Sequence, residues 1–127
     1  MLSAVWQLKE QAENELRSNI LDFWCRHAVD RENGGFYGYI SGNLDTDAMH
    51  DKASVLNARI LWTFSAAYRL YGDKKYLEMA ARAYEYIRDR FINREHMGVY
   101  WMLDYRGMPK DTKNQVYANA FVIYGLS

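Results

Sequence analysis

Arg31-Glu32-Asn33-Gly34-Gly35-Phe36-Tyr37 recurs 63 residues later as Arg94-Glu95-His96-Met97-Gly98-Val99-Tyr100. Each copy sits between two segments whose apolar residues repeat every three or four positions, the period of a helix. Before the first copy, Val5, Leu8, Ala12, Leu16, Ile20, Phe23 and Trp24 are spaced this way with no Pro or Gly, predicting a helix over about Ser3 to His27. After it, Phe36-Tyr37-Gly38-Tyr39-Ile40 reads as a short strand within a loop. Leu56, Ile60, Phe64, Ala67 and Tyr68 then predict a second helix from Ala53 to Tyr71, closed by Gly72, with Asp73 as the N-cap of the next.

The third helix is expected over about Lys74 to Phe91, with Leu77, Ala80, Ala81, Tyr84, Ile87 and Phe91 on its buried side and a Glu78/Arg82 pair one turn apart. A second extended run, Val99-Tyr100-Trp101-Met102-Leu103, leads through the turn Arg106-Gly107-Met108-Pro109 to a final helix from about Gln115 to Ser127. At an offset of 62, Leu61-Trp62-Thr63-Phe64-Ser65 lies over Ile123-Tyr124-Gly125-Leu126-Ser127. The chain therefore reads as two copies of helix, glycine loop, short strand, helix. In the first copy the helix runs on past Ser65 to a glycine stop, whereas the second reaches Ser127 with no stop unless Gly125 serves as one. Repeats of paired helices need about three copies to bury a continuous core. The expectation is an incomplete piece, truncated in its fourth helix.

The 127 residues, 50% of them apolar, have the size of one domain and exclude a two-lobed enzyme with separate cofactor and substrate domains. Lys and Arg number 16 against 16 Asp and Glu, a balance of 16 − 16 = 0 that argues against a nucleic-acid partner. Cys25 has no second cysteine to pair with, which fits a reducing cytoplasm. No window approaches the ~18 consecutive apolar residues of a membrane span, so no membrane association is expected. The aromatic share of 16%, with 11 Tyr and 4 Trp, suits either helix packing or stacking on sugar rings.

Phosphate-loop, dinucleotide, nucleophile-elbow and zinc-helix signatures are all missing. His27, His50 and His96 have no second ligand at i+3 or i+4 and read as capping or solvated groups. Asp30, Asp45, Asp47, Asp104 and Asp111 read as turn formers, although two positioned carboxylates would be what a glycosidase needs. Arg59 stands out because its helical neighbours are Leu56 and Trp62, which predicts a guanidinium lying at least partly inside. Such a group requires an ion pair, a snorkelled path to water or a polar cavity. Tyr117 and Asn119 are open in the same way, as core hydrogen bonders or as pocket-lining groups.

Three segments carry a family resemblance: Gly34 to Gly38; Lys52 with Leu56-Asn57-Ala58-Arg59-Ile60-Leu61-Trp62-Thr63-Phe64-Ser65; and Gly98 to Trp101 continuing through Gly107, Pro109, Asp111 and Lys113 to Tyr117-Ala118-Asn119-Ala120-Phe121. Together they resemble the N-terminal part of the N-acylglucosamine 2-epimerase family. The resemblance implies an all-α fold, the first helix pairs of an (α/α)6 barrel with short hairpin-like loops. It also implies inversion at C2 of an aldose, such as the reducing-end glucose of a cellobiose-type disaccharide becoming mannose. The partner is then a small sugar, and no cofactor or metal is expected. Arg59 matches an arginine at the reacting oxygens, assigned here as catalytic, and Tyr117 matches a tyrosine of the same pocket, assigned as substrate-binding. The family's two catalytic histidines have no counterpart among these residues, so the isolated chain is expected to be inactive. Alternatives are a mannose isomerase or acylglucosamine epimerase of the same family, a glycoside hydrolase on a similar fold, or a non-catalytic helical-repeat module.

Overall fold

The structure is a computed structural model that describes residues 2–127. It opens with a continuous helical rod: α1 (Leu2–Glu15), a π-helical stretch (Leu16–Leu21) and α2 (Asp22–His27). The rod matches the single helix expected, but its stripe is only partly used. Leu16, Phe23 and Trp24 are half-buried, while Val5, Leu8, Ala12 and Ile20 stay exposed, and the one fully buried residue of the rod among those described, Leu21, lies outside the expected stripe.

The loop that follows carries the first glycine turn. The strand expected at 36–40 is reduced to isolated bridges, Val29 to Phe36 and Ile40 to Thr46. Gly38 passes so close to the Asp51 carbonyl that a Cβ there would lie 1.8 Å from its oxygen, leaving no room for any larger residue. Strand β1 (Lys52–Ala53) then leads directly into α3 (Ser54–Tyr71).

Helix α3 ends as expected, on Gly72 in the left-handed conformation at φ 67°, with its N–H bonded to the Tyr68 carbonyl. Asp73 accepts from the Lys75 amide and starts α4 (Lys74–Tyr86), which runs into a second π-helical stretch (Ile87–Phe91). Here the expected face is half right: Ala80, Ile87 and Phe91 are buried as expected, and the other three expected residues are not. Tyr76, Met79, Ala80, Ala83, Tyr86, Ile87 and Phe91 are buried, whereas Leu77, Ala81 and Tyr84 are exposed. Several phases of this helix are apolar, and the one that packs is the one whose alanines let α3 approach and whose Tyr86 ring covers Gly35. The Glu78/Arg82 pair does not form either, because Arg82 turns inward and donates to the carbonyls of Gly35 and Asp30.

Strands β2 (Met102–Leu103) and β3 (Pro109–Asp111) complete a small antiparallel sheet of order β1-β2-β3. Lys52 pairs with Leu103 and Ala53 with Met102. The sheet pins the start of α3, since Trp101's carbonyl accepts from both the amide and the hydroxyl of Ser54. Helix α5 (Val116–Leu126) packs against α3. Gly125 is no helix stop: it lies inside α5, where a Cβ would sit 2.7 Å from the Ala58 carbonyl oxygen, so its missing side chain permits the close approach. Among the described residues, no helix is long and apolar enough to cross a membrane.

The internal repeat is real in the backbone. In the first copy Asp30 N–H bonds to Gly35 O and Tyr37 N–H to Ala28 O; in the second Asn93 N–H bonds to Gly98 O and Tyr100 N–H to Phe91 O. Asp30 Oδ1 accepts from the amides of Glu32 and Asn33, and Asn93 Oδ1 from those of Glu95 and His96. Gly34 and Gly35 adopt φ of 82° and 65°, matched by Met97 at 64° and Gly98 at 79°.

Candidate functional site

Helices α3 and α5 present the two residues the sequence singled out. Arg59 is exposed, contrary to the expectation of a partly inside guanidinium, because the side of α3 that carries it faces away from the core formed by Ala58, Leu61 and Phe64. Among the described residues it has no ion pair or hydrogen-bond partner, so the fixed-ion-pair alternative drops out. Tyr117 is likewise exposed, at 60%, and its ring leans on Phe121 with centroids 4.9 Å apart.

One contact relates the two. Trp62 stacks on Tyr124, with ring centroids 5.5 Å apart and planes 20° from parallel. Trp62 lies one turn beyond Arg59, and Tyr124 lies two turns beyond Tyr117, so each pair shares a side of its helix. The stack therefore sets the Arg59 side of α3 against the Tyr117 side of α5. The result is an open surface that carries a permanent cation, a phenol able to donate and accept, and a stacked aromatic pair.

Asn119 proves to be a hydrogen bonder. Its Oδ1 accepts from the Val99 amide at 3.0 Å, and its Nδ2 donates to Gln115 O and to Asn114 Oδ1. It fastens the second glycine turn to the start of α5. The histidines are scattered: His27 packs on Phe23 at the end of α2, His50 stacks on Tyr39, and His96 lies in the second turn. None of them reaches the surface carrying Arg59 by any contact among the described residues, and no metal-binding group of His, Cys, Asp or Glu gathers there. The loop aspartates act as turn formers, Asp47, Asp104 and Asp111 each accepting a backbone amide two residues on.

Asp30 does more, and sequence reasoning missed it. Its Oδ2 accepts from Lys52 Nζ at 2.7 Å, with side chains 0% and 1% exposed. Lys52 also donates to Gly34 O at 2.6 Å, and Arg82 Nε to Gly35 O at 2.8 Å. Burial alone would raise the Asp30 carboxyl, but the Asn33 and Glu32 amides and the Lys52 ammonium outweigh it and hold the group below the usual carboxylate range. Burial pushes the Lys52 ammonium down from an ordinary lysine, only partly offset by Asp30. Tyr86, whose ring lies under Lys52 and against Gly35, is pushed up to about 12, chiefly by burial. The partners are 22 residues apart, with no spacing to betray them; the one sequence signal was a lysine immediately before an apolar helix.

Residues 34–127 match the family model described as N-acylglucosamine 2-epimerase. The chain is 55% identical over 120 residues to a protein named cellobiose 2-epimerase from Bacteroides fragilis, covering 94% of this chain and 31% of that protein. Among solved structures, cellobiose 2-epimerase from Bacillus thermoamylovorans B4167 superposes with a TM-score of 0.90 at 38% identity, over 94% of this chain and 31% of that one. The cellobiose 2-epimerase of Spirochaeta thermophila gives 0.92 at 33% identity, over 98% and 30%. The chain thus spans about 31% of the Bacteroides protein's length.

Proposed function

Because this chain belongs to the N-acylglucosamine 2-epimerase family, we propose that it forms the N-terminal portion of a single (α/α)6-barrel domain in a cytoplasmic sugar 2-epimerase. The substrate is a cellobiose-type disaccharide, whose reducing-end glucose is converted reversibly to mannose. After ring opening, a base removes the proton on C2 beside the aldehyde, giving a planar enediolate, and an acid returns a proton to the opposite face. Arg59 meets the negative charge that develops on the reacting oxygens, and Tyr117 binds the sugar in the same pocket. The acid and base come from histidines outside these residues.

What supports this reading is that Arg59 and Tyr117 are both exposed, on two helices joined by the Trp62–Tyr124 stack. An arginine committed to a structural ion pair would be unavailable to an oxyanion; this one is free among the described residues. The disaccharide substrate is favoured by the names of the Bacteroides, Bacillus and Spirochaeta relatives.

The test is a chimera in which this chain replaces the matching 120 residues of the Bacteroides fragilis protein. It is expected to convert cellobiose to its C2 epimer, and Arg59→Ala is expected to lower kcat by roughly 10²–10³, the usual cost of losing one oxyanion donor. An unchanged kcat/KM in Arg59→Ala would reduce that residue to a structural role. Failure of a well-folded chimera to epimerise any aldose would remove the reading altogether.

A further inference from the structure

The two glycine turns have the same backbone and different chemistry. Asp30 of the first corresponds to Asn93 of the second, and Asn93 accepts the same two amides without a charge. The helices that follow align at an offset of 62: the N-caps are Ala53 and Gln115, and Asn57 and Asn119 bond back to their carbonyls. On that alignment Lys52 corresponds to Asn114, and Arg59 to Phe121. The charged pair is therefore unnecessary for the turn. A buried ion pair is also a poor source of stability, since apolar replacements of similar volume are often neutral or better.

What the charges add is a connection. Lys52 bonds to Asp30 and Gly34 of the turn while pairing with Leu103 in the sheet, and Arg82 brings α4 onto the same turn through two carbonyls. Two residues after Lys52, α3 begins. This arrangement occurs in the copy whose helix carries a cation and not in the copy that carries Phe121 at the matching place. We infer that Lys52 is a positioning residue: held by Asp30 and Gly34, it fixes where and in what rotation α3 starts, and so where the Arg59 guanidinium stands, seven residues on. The inference rests on the role proposed for Arg59, and it extends that site to a residue buried behind it.

Two measurements test it. In the epimerase chimera, Lys52→Met, which keeps the length and removes the charge, should lower kcat for cellobiose at least tenfold after correction for folded fraction. In the Arg59→Ala background the same change should cost less than twofold, because the two act through one group. Equal losses in both backgrounds, or no loss in either, would overturn the inference. Should Lys52→Met fail to fold, Asp30→Asn/Lys52→Met supplies the same comparison, since it copies the neutral second turn. In the chimera, whose folding can be checked without any activity, the double variant should speed amide hydrogen exchange at residues 55–59 at least tenfold relative to residues 117–121. Uniform or absent acceleration would contradict the positioning role, and this readout stands even if the unmodified chimera is inactive and the epimerase reading fails.

Discussion

The first glycine turn, at residues 28–37, and the second, at 91–100, share their bridges, their amide caps and their left-handed pairs, yet one is built around a buried ion pair and the other around neutral amides. The difference separates what the turn requires from what the site requires. A turn of this shape needs two residues tolerant of positive φ and one short side-chain oxygen to accept two amides; it does not need a charge. The charge belongs with the helix that presents Arg59.

Breaking one half of the pair should give the largest effect. Asp30→Asn retains the amide caps but leaves Lys52 buried without an anion, with an expected loss of ~3–5 kcal/mol in urea unfolding. Adding Lys52→Met should recover most of that loss, so a double variant no better than the single would contradict a turn that folds without charge. In the second copy, Asn93→Ala removes two amide bonds from a partly exposed site and should cost about 1–2 kcal/mol.

Acid sharpens the contrast. Since Asp30 titrates below an ordinary carboxyl in the folded chain, the stability it contributes is present above the unfolded value near 3.8 and is lost as pH falls through its depressed folded value. Asn93 does not titrate. Thermal unfolding below about pH 4 should therefore fall more steeply for the wild type than for Asp30→Asn/Lys52→Met. Identical slopes would mean that Asp30 is not held ionised by its surroundings.

The smallest expected effect is a gain. Met97 carries the strain that Gly34 avoids at the matching place, with φ 64° and a side chain 81% exposed. Met97→Gly should raise stability by about 0.5–1 kcal/mol, the left-handed penalty less glycine's greater entropy when unfolded. A loss instead would show that the Met97 side chain holds the turn from outside.

The helices, the Gly72 stop, the Asp73 cap and the repeat were legible because each depends on local chemistry: helical spacing, a missing Cβ, a short acceptor at a helix start. The face of α4 was legible only in part: Ala80, Ile87 and Phe91 lie inside as expected, but Leu77 and Tyr84 fit a buried stripe as well as Tyr76 and Met79 do until α3 and the first turn choose between them. Arg59 could be picked out as unusual, but its exposure could not, because apolar neighbours suggest burial whether or not anything covers them. The Asp30–Lys52 pair was invisible for a different reason: its partners come together only once the loop has closed.

The most direct measurement is proton–deuterium exchange at C2 of cellobiose in D₂O, followed by NMR, for the chimera, its Arg59→Ala variant and the isolated 127-residue chain. Deuterium should enter at C2 with the chimera, should slow by roughly 10²–10³ in Arg59→Ala, and should not enter with the isolated chain. Equal exchange by the chimera and its Arg59→Ala variant, or C2 exchange by the isolated chain, would contradict the assignment of Arg59 to a site completed elsewhere.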